Sequence, residues 1–355
     1  MFKSAFMLAA ALAATAVTHA PAAAEQLKKI TVIQMHPVMG VGEEAFLYAI
    51  PKRLGYFKAE GLDVDIQNGQ NGAVAAQVIQ SGGAQFGTTA PEAIMQVREQ
   101  GGDIISFYDV KQNGGTFMVV LKDSPIHDLK DLKGKTLGAP SFGSGGGLTL
   151  KANLAAIGIA PDQYTAIATG AGPSALAALR TKQIDALVMW DAMLGAAENT
   201  GMELRRIGIP FQERLAGMTL ATTASFAKAN PKAVEGYCRA VAKGVHFTMT
   251  RPEAAVRVLW DEFPTIRPAT LDEATALKNH AHIIDRFLEM AEQGLPYGAS
   301  TGGFIAAQWQ YSHETYTASG FLKGTGTAGD AYTTQFLDAC NTFDREAVAA
   351  DAKKY

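Results

Sequence analysis

A glycine-rich turn set between a short apolar strand and a helix constrains this chain more than any other feature. Thr136-Leu137-Gly138-Ala139 reads as the end of a buried strand, and the turn runs on through Pro140-Ser-Phe-Gly-Ser-Gly-Gly-Gly147. Leu148 to Ile157 predicts a helix, with Leu150, Leu154 and Ile157 at apolar spacing and Gly158 ending it. A first turn built from Ser and Gly presents bare backbone N–H groups and the positive end of the helix dipole. Such a terminus receives an anion or a polar acceptor atom, which makes Ser141, Phe142, Ser144 and Gly145 candidate ligand contacts. The turn is not a P-loop, since no Gly-Lys-Ser/Thr follows, and it is not a dinucleotide fingerprint, since Leu148 takes the third glycine position.

The flanking sequence repeats this strand–loop–helix unit. Lys29 to Gln34 predicts a first strand, followed by the loop Met35-His-Pro-Val-Met-Gly-Val-Gly42 and a helix from Glu43 to near Gly55. Leu62 to Ile66 alternates apolar and acidic residues, as a half-exposed strand does, and Asn68-Gly-Gln-Asn-Gly72 leads into a helix through Val74, Val78 and Ile79. Gln85 to Gly87 and Asp103 to Tyr108 predict further strands, and Pro91 opens a helix between them. Beyond the glycine-rich turn, strands are predicted at Tyr164 to Ala168 and Asp185 to Trp190, with a helix from Pro173 to Thr181 between them. This rhythm calls for an α/β fold with a largely parallel sheet. From about Gly217 long helices take over: Pro231 to Thr250, one opened by Pro252, and one announced by a Thr270-x-x-Glu273 capping box with Leu271 on its apolar face. The character of the chain shifts at Gly114-Gly115 and again near Gly217. One discontinuous lobe is therefore expected from 25–112 and 217–355, and a second lobe from 113–216.

The N-terminus has the form of a secretory signal peptide over residues 1–24. Lys3 supplies the positive region, Ala5 to Val17 an apolar run too short to span a bilayer, and Ala22-Ala23-Ala24 the small residues before a cut. Removing it leaves about 330 residues, enough for two lobes. The 31 Lys and Arg against 34 Asp and Glu give a net charge of −3 and no basic run, which argues against a nucleic-acid partner. Cys238 and Cys340 each fall on an apolar helical stripe. Export permits a disulfide between them, and two buried free thiols fit the stripes equally well.

Catalytic patterns are missing. No His-Glu-x-x-His, Cys-x-x-Cys or Gly-x-Ser-x-Gly occurs, and His280 and His282, two apart on a helix, point to different faces and cannot share a metal. No metal and no cofactor is expected. In an open α/β sheet, ligands bind beyond the carboxyl ends of the strands. Those loops supply His36, Asn68, Gln70, Asn71, Thr88, Thr89, Tyr108, Asn113, Ser141, Phe142, Ser144, Gly145, Trp190 and Asp191. The set is rich in hydrogen-bonding groups, holds a few aromatic rings, and carries neither Lys nor Arg. It offers no nucleophile–base–orienter arrangement. Trp190 would form an apolar wall, Trp190, Phe142 and Tyr108 could stack on a flat ring, and Asp191 would repel an anion. The expected ligand is a small aromatic or heteroaromatic molecule first, and a sulfonate-like monoanion second.

An ordered series of short motifs carries a family resemblance. Gly55-Tyr-Phe57 with Gly61-Leu-Asp-Val64, then Gln80-x-Gly with Phe86-Gly87, then Asp131-Leu-Lys-Gly-Lys135, then Gln183-Ile-Asp-Ala186 leading to Trp190, follow one another. In that order the chain resembles the periplasmic solute-binding proteins of ABC importers in the sulfonate/taurine/nitrate and thiamine-pyrimidine (NMT1/THI5-like) group, over roughly Ile30 to Val245. The resemblance implies a two-lobe fold of the type II periplasmic-binding kind, with the ligand clamped between lobes. It also implies a monomer that docks on an inner-membrane permease, and no enzymatic activity. The alternative is an enzyme like the synthases of the thiamine pyrimidine precursor. The thiamine-pyrimidine binders and these synthases carry an Asn-x-x-His-type stretch where this chain has Gln34-Met-His-Pro-Val-Met-Gly40, and the synthases also carry a cysteine-rich motif that it lacks.

Overall fold

The computed structural model describes residues 27–355 except 113, 115, 142–144, 171, 208–213 and 292–300. Among the described residues, ten strands form two five-stranded sheets. The first sheet holds β1 (Lys28–Gln34), β2 (Leu62–Asn68), β3 (Phe86–Thr89), β4 (Ile104–Asp109) and β10 (Thr219–Thr223), in the order β2-β1-β3-β10-β4. The second holds β5 (Thr116–Leu121), β6 (Thr136–Ala139), β7 (Thr165–Ala168), β8 (Ala186–Trp190) and β9 (Leu204–Ile207), in the order β7-β6-β8-β5-β9. The chain leaves the first sheet between β4 and β5 and returns between β9 and β10.

Both sheets are mixed, which corrects the expectation of a largely parallel one. β1 runs parallel to β2 and β3, as β-loop-α units require, but β10 inserts antiparallel between β3 and β4. In the second sheet β6 is parallel to β7 and β8, while β5 is antiparallel to β8 and β9. The strands out of register with the βαβ rule are those next to the two passages between sheets. Their direction is set by where the chain enters, which local periodicity does not encode.

Each sheet is apolar on both faces, as a helix-covered sheet must be. Side chains alternate along β1, so Ile30 and Val32 join one core and Ile33 the other. Along β5, Met118 and Val120 face one core of the second sheet, Phe117 and Val119 the other. Gly138 of β6 lets Ile184 pack closely, since a Cβ there would lie 2.6 Å from its Cδ1 and force that side chain to shift.

The helices begin with a fully buried π-helical turn at Ala45–Ala49, continuing into α1 (Ile50–Arg53) and α2 (Tyr56–Ala59). Next come α3 (Gly72–Gln80), α4 (Pro91–Glu99), α5 (Gly145–Ala156), α6 (Pro173–Arg180) and α7 (Asp191–Asn199). The C-terminal part adds α8 (Ala224–Ala229), α9 (Pro231–Thr250), α10 (Pro252–Glu262), α11 (Glu273–Ala291), α12 (Ala306–Ala318), α13 (Leu337–Asn341) and α14 (Arg345–Lys354). The cap of α11 differs from the expected box at Thr270. Asp272 accepts from Thr275 N at 3.0 Å, Glu273 is drawn to Arg257 and Arg267, and Leu271 stays 43 % exposed ahead of the helix. The short Asp side chain reaches the free N–H directly, so the helix starts later than the sequence pattern placed it.

Cys238 of α9 and Cys340 of α13 form a disulfide, which decides the alternative that the sequence leaves open. The bond ties the C-terminal helices to the first sheet's core. α11 makes the other long-range junction. It packs along α7, with Glu198 accepting from Arg286 Nε and His282 Nε2, both at 2.8 Å, and with Gly195 close against Ile283.

Candidate functional site

A cavity of about 340 Å³ lies between the two sheets. One wall comes from the loops after β1, β2 and β3: Met35, His36, Glu43, Asn71, Gly72, Pro91 and Glu92. The opposite wall comes from the second sheet: Ser141, Gly146 and Leu148 at the start of α5, and Val188, Trp190 and Asp191 at the end of β8. Lys111 and Met218, from the two passages between sheets, line its floor, and Phe287 of α11 and Tyr316 of α12 close it.

The structure brings His36, Gln70, Asn71, Ser141, Trp190 and Asp191 together around this space. The His36 and Trp190 rings face each other across it, nearly parallel at 17° with centroids 6.3 Å apart. Asn71 both lines the cavity and caps α3, accepting from Val74 N at 3.0 Å. Gly145 is the first residue of α5, and Gly146 beside it lines the cavity. The expected contacts Asn113, Phe142 and Ser144 lie outside the described residues.

Four expected residues are placed elsewhere. Asn68 is exposed at the end of β2, where its Oδ1 accepts from the Gln34 side chain. Thr88 accepts from Met35 N at 2.9 Å, and Thr89 donates to Gly72 O at 2.7 Å. Both threonines are buried and fasten the loops that do line the cavity. Tyr108 is 1 % exposed, donates to Thr301 and packs on Gly302, so it supplies no stacking face. All six residues of β4 are buried, and Tyr108 packs into the same core as its neighbour Phe107.

The electrostatics also depart from expectation. The expected contact set holds no Lys or Arg, yet Lys111, in the loop after β4, lines the cavity. Its Nζ pairs with Asp191, with side chains only 4 % and 2 % exposed, and lies over the Phe287 ring at 5.1 Å. Asp191 therefore faces a cation of its own chain, and its repulsion of an anion is largely cancelled. Across the space His36 Nε2 lies 2.9 Å from Glu43 Oε1. Burial alone would depress the imidazole pKa, but the Glu43 hydrogen bond and charge, with the charge of Glu44, raise it to about 9. Burial and the Glu43 charge push Glu44 up to about 7.

Sequence reasoning missed Glu43, Glu92 and Lys111. Glu43 lies one residue past the loop after β1 and Glu92 three past Thr89, while Lys111 lies between the collected Tyr108 and Asn113.

Comparison with known proteins places the chain. A model of the family described as "NMT1/THI5 like" matches residues 44–255. This chain belongs to the NMT1/THI5-like family. Within that likeness, the riboflavin-binding protein RibY of Chloroflexus aurantiacus is 23 % identical over 337 residues, covering 92 % of this chain and 90 % of RibY. The 4-amino-5-hydroxymethyl-2-methylpyrimidine phosphate synthase of Schizosaccharomyces pombe is 31 % identical over 131 residues. That match covers 36 % of this chain and spans only 37 % of the synthase. Among solved structures, the alkanesulfonate-binding protein SsuA from Xanthomonas axonopodis pv. citri, bound to MOPS, superposes with a TM-score of 0.60. It is 16 % identical and covers 88 % of this chain and 100 % of its own. The NMT1/THI5-like chain thus has the two-lobe α/β fold of periplasmic binding proteins, with its cleft between lobes. No helix among the described residues is long and apolar enough to cross a membrane.

Proposed function

We propose that this NMT1/THI5-like chain is the extracytoplasmic substrate-binding component of an ABC import system. It captures a small organic molecule between its lobes and delivers it to an inner-membrane permease. The observation that carries the reading is the cavity itself: about 340 Å³, shared between loops of both sheets, walled by Trp190 and Phe287 with a few polar groups. That is the character of a small-molecule site. The SsuA fold and the nearly full-length likeness to RibY support it. Export through the signal sequence at 1–24 fits the disulfide, which persists in oxidising compartments. In this reading 25–112 with 217–355 moves as one body and 113–216 as the other, and hinge closure encloses the ligand.

The ligand is a molecule with an aromatic or heteroaromatic body rather than a sulfonate. Both cationic side chains in the described lining are already engaged, Lys111 by Asp191 and His36 by Glu43. A sulfonate would have to rely on the start of α5, and a helix N-terminus contributes about 0.3–1 kcal/mol to an exposed charge and up to about 2 when partly buried. The protein binds without turnover. The synthase reading loses its thiol chemistry, since Cys238 and Cys340 are joined to each other and lie outside the cavity lining. Native mass spectrometry of the freshly purified, exported protein tests the proposal. A one-to-one complex with a co-purified small molecule is expected. Steady formation of a new product from that molecule would contradict it.

A further inference from the structure

Glu92 is the one carboxyl group in the described cavity lining without a cation of its own. It is the second residue of α4, behind Pro91, and is 5 % exposed. Glu43 has His36 and Asp191 has Lys111, but the side-chain partner of Glu92 is the phenol of Tyr316. Every Lys and Arg after residue 27 lies among the described residues, and none pairs with it.

The elements packed against α4 bring no cation to it either. α3 contains no ionisable residue. β4 carries Asp109, bonded to Trp309, and the short helix at Ala328–Ala331 carries Asp330, bonded to Thr327. α12 brings Tyr316 and Glu314, the latter paired with Gln310, while its His313 lines a separate small cleft. On α4 itself, Arg98 donates to Ile104 O and lines that same cleft with Glu99. A buried carboxylate without a cation beside it is costly, and this one lines the ligand space. Aromatic side chains of Tyr316 and Phe321 flank the same end of the cavity, and such rings favour a cation beside them.

We propose that Glu92 receives a protonated amine or amidine-like nitrogen of the ligand, so the solute combines an apolar ring with a cationic N–H donor. This rests on the solute-receptor reading and deepens it. Binding of a permanent cation should then depend on ionising this carboxyl. In the free protein burial, only partly offset by the helix N–H groups and Tyr316, holds Glu92 up at about 7. Cation affinity should rise as pH passes upward through that value.

Benzamidine and benzenesulfonate, a cation and an anion on the same ring, are the probes. Binding of each is measured by calorimetry at pH 8 and pH 5.5 to the wild type and to Glu92→Gln, with circular dichroism checking the fold of the variant. Benzamidine is expected to bind the wild type at least tenfold tighter than benzenesulfonate at pH 8, and to weaken about tenfold or more at pH 5.5. Glu92→Gln is expected to lose that preference and the pH response. Tighter binding of benzenesulfonate by the wild type, or a pH-independent benzamidine affinity, overturns the inference without needing the variant. So does equal benzamidine binding by a folded Glu92→Gln. In all three cases the receptor reading survives. If neither probe binds, the inference fails, and if native mass spectrometry also finds no co-purified molecule, the receptor reading fails with it.

Discussion

Lys111, in the segment that leaves the first sheet, donates to Asp191, the first residue of α7 after β8 of the second sheet. The pair is almost fully buried and forms part of the cavity wall. It therefore ties together the passage between the sheets, Trp190 one residue away and the charge of the cavity wall.

Removing one partner leaves a buried charge unpaired, which typically destabilises by about 3–5 kcal/mol. Lys111→Met and Asp191→Asn are each expected to lose stability on that scale, while Lys111→Met with Asp191→Leu together should lose less than either alone. Denaturant unfolding of the three variants checks this. Asp191→Asn also exposes Lys111 as an uncompensated cation, so sulfonate binding is expected to tighten in that variant.

The His36–Glu43 contact gives a pH signature. A histidine raised from 6.5 to about 9 in the folded state contributes stability that is fully present below the unfolded value and is lost as pH rises through 9. Glu44 and Glu92, both raised to about 7, cost stability as pH climbs from their unfolded values toward 7. The two effects have the same sign, so the ligand-free protein is expected to lose stability from about pH 5 to pH 9. In the upper half of that window His36→Gln should flatten the slope. The His36 part is about 1–3 kcal/mol, since its side chain keeps 31 % exposure and solvent screens it. Melting temperature measured in half-unit pH steps, wild type against variant, decides it.

The disulfide between Cys238 and Cys340 spans a separation of 102 residues. Cross-links over loops of this length restrict the unfolded chain strongly, and removing one typically costs about 2–5 kcal/mol. The double variant Cys238→Ser, Cys340→Ser is expected to unfold at lower denaturant by that amount. Because α13 also positions Asn341, which holds Thr301 beside Tyr108, the loss should appear in the first lobe. Hydrogen exchange mapped onto the two sheets would show it.

Gly302 adopts a φ of +84° and sits against the Tyr108 ring so closely that a Cβ would overlap it. Gly302→Ala combines left-handed backbone strain with overpacking, each about 1–3 kcal/mol. A drop in stability with the Tyr108 fluorescence environment altered is expected.

Much of this architecture was legible in the chain. Period-two alternation at Ile30, Val32 and Ile33 and the apolar stripe from Val234 to Val245 are local signals, and the elements formed where those signals lie. Ser141 and Gly146 of the glycine-rich stretch line the cavity. The orientation of β5 and β10 was not legible, because it depends on where the chain re-enters a sheet. Tyr108 was misplaced for a similar reason: being at a strand end does not say which face the side chain takes. Lys111 stood in the sequence between the candidates Tyr108 and Asn113, but its pairing with Asp191, 80 residues away, comes only from tertiary structure.

The most direct measurement uses a small molecule that co-purifies with the protein. That molecule is released by unfolding and offered back to ligand-free wild type and to Trp190→Ala, with binding followed by calorimetry and its mass checked after incubation. The account predicts one-to-one binding to the wild type, at least tenfold weaker binding to Trp190→Ala, and recovery of the molecule unchanged. Equal affinity for both proteins, or conversion of the molecule to a product, would contradict it.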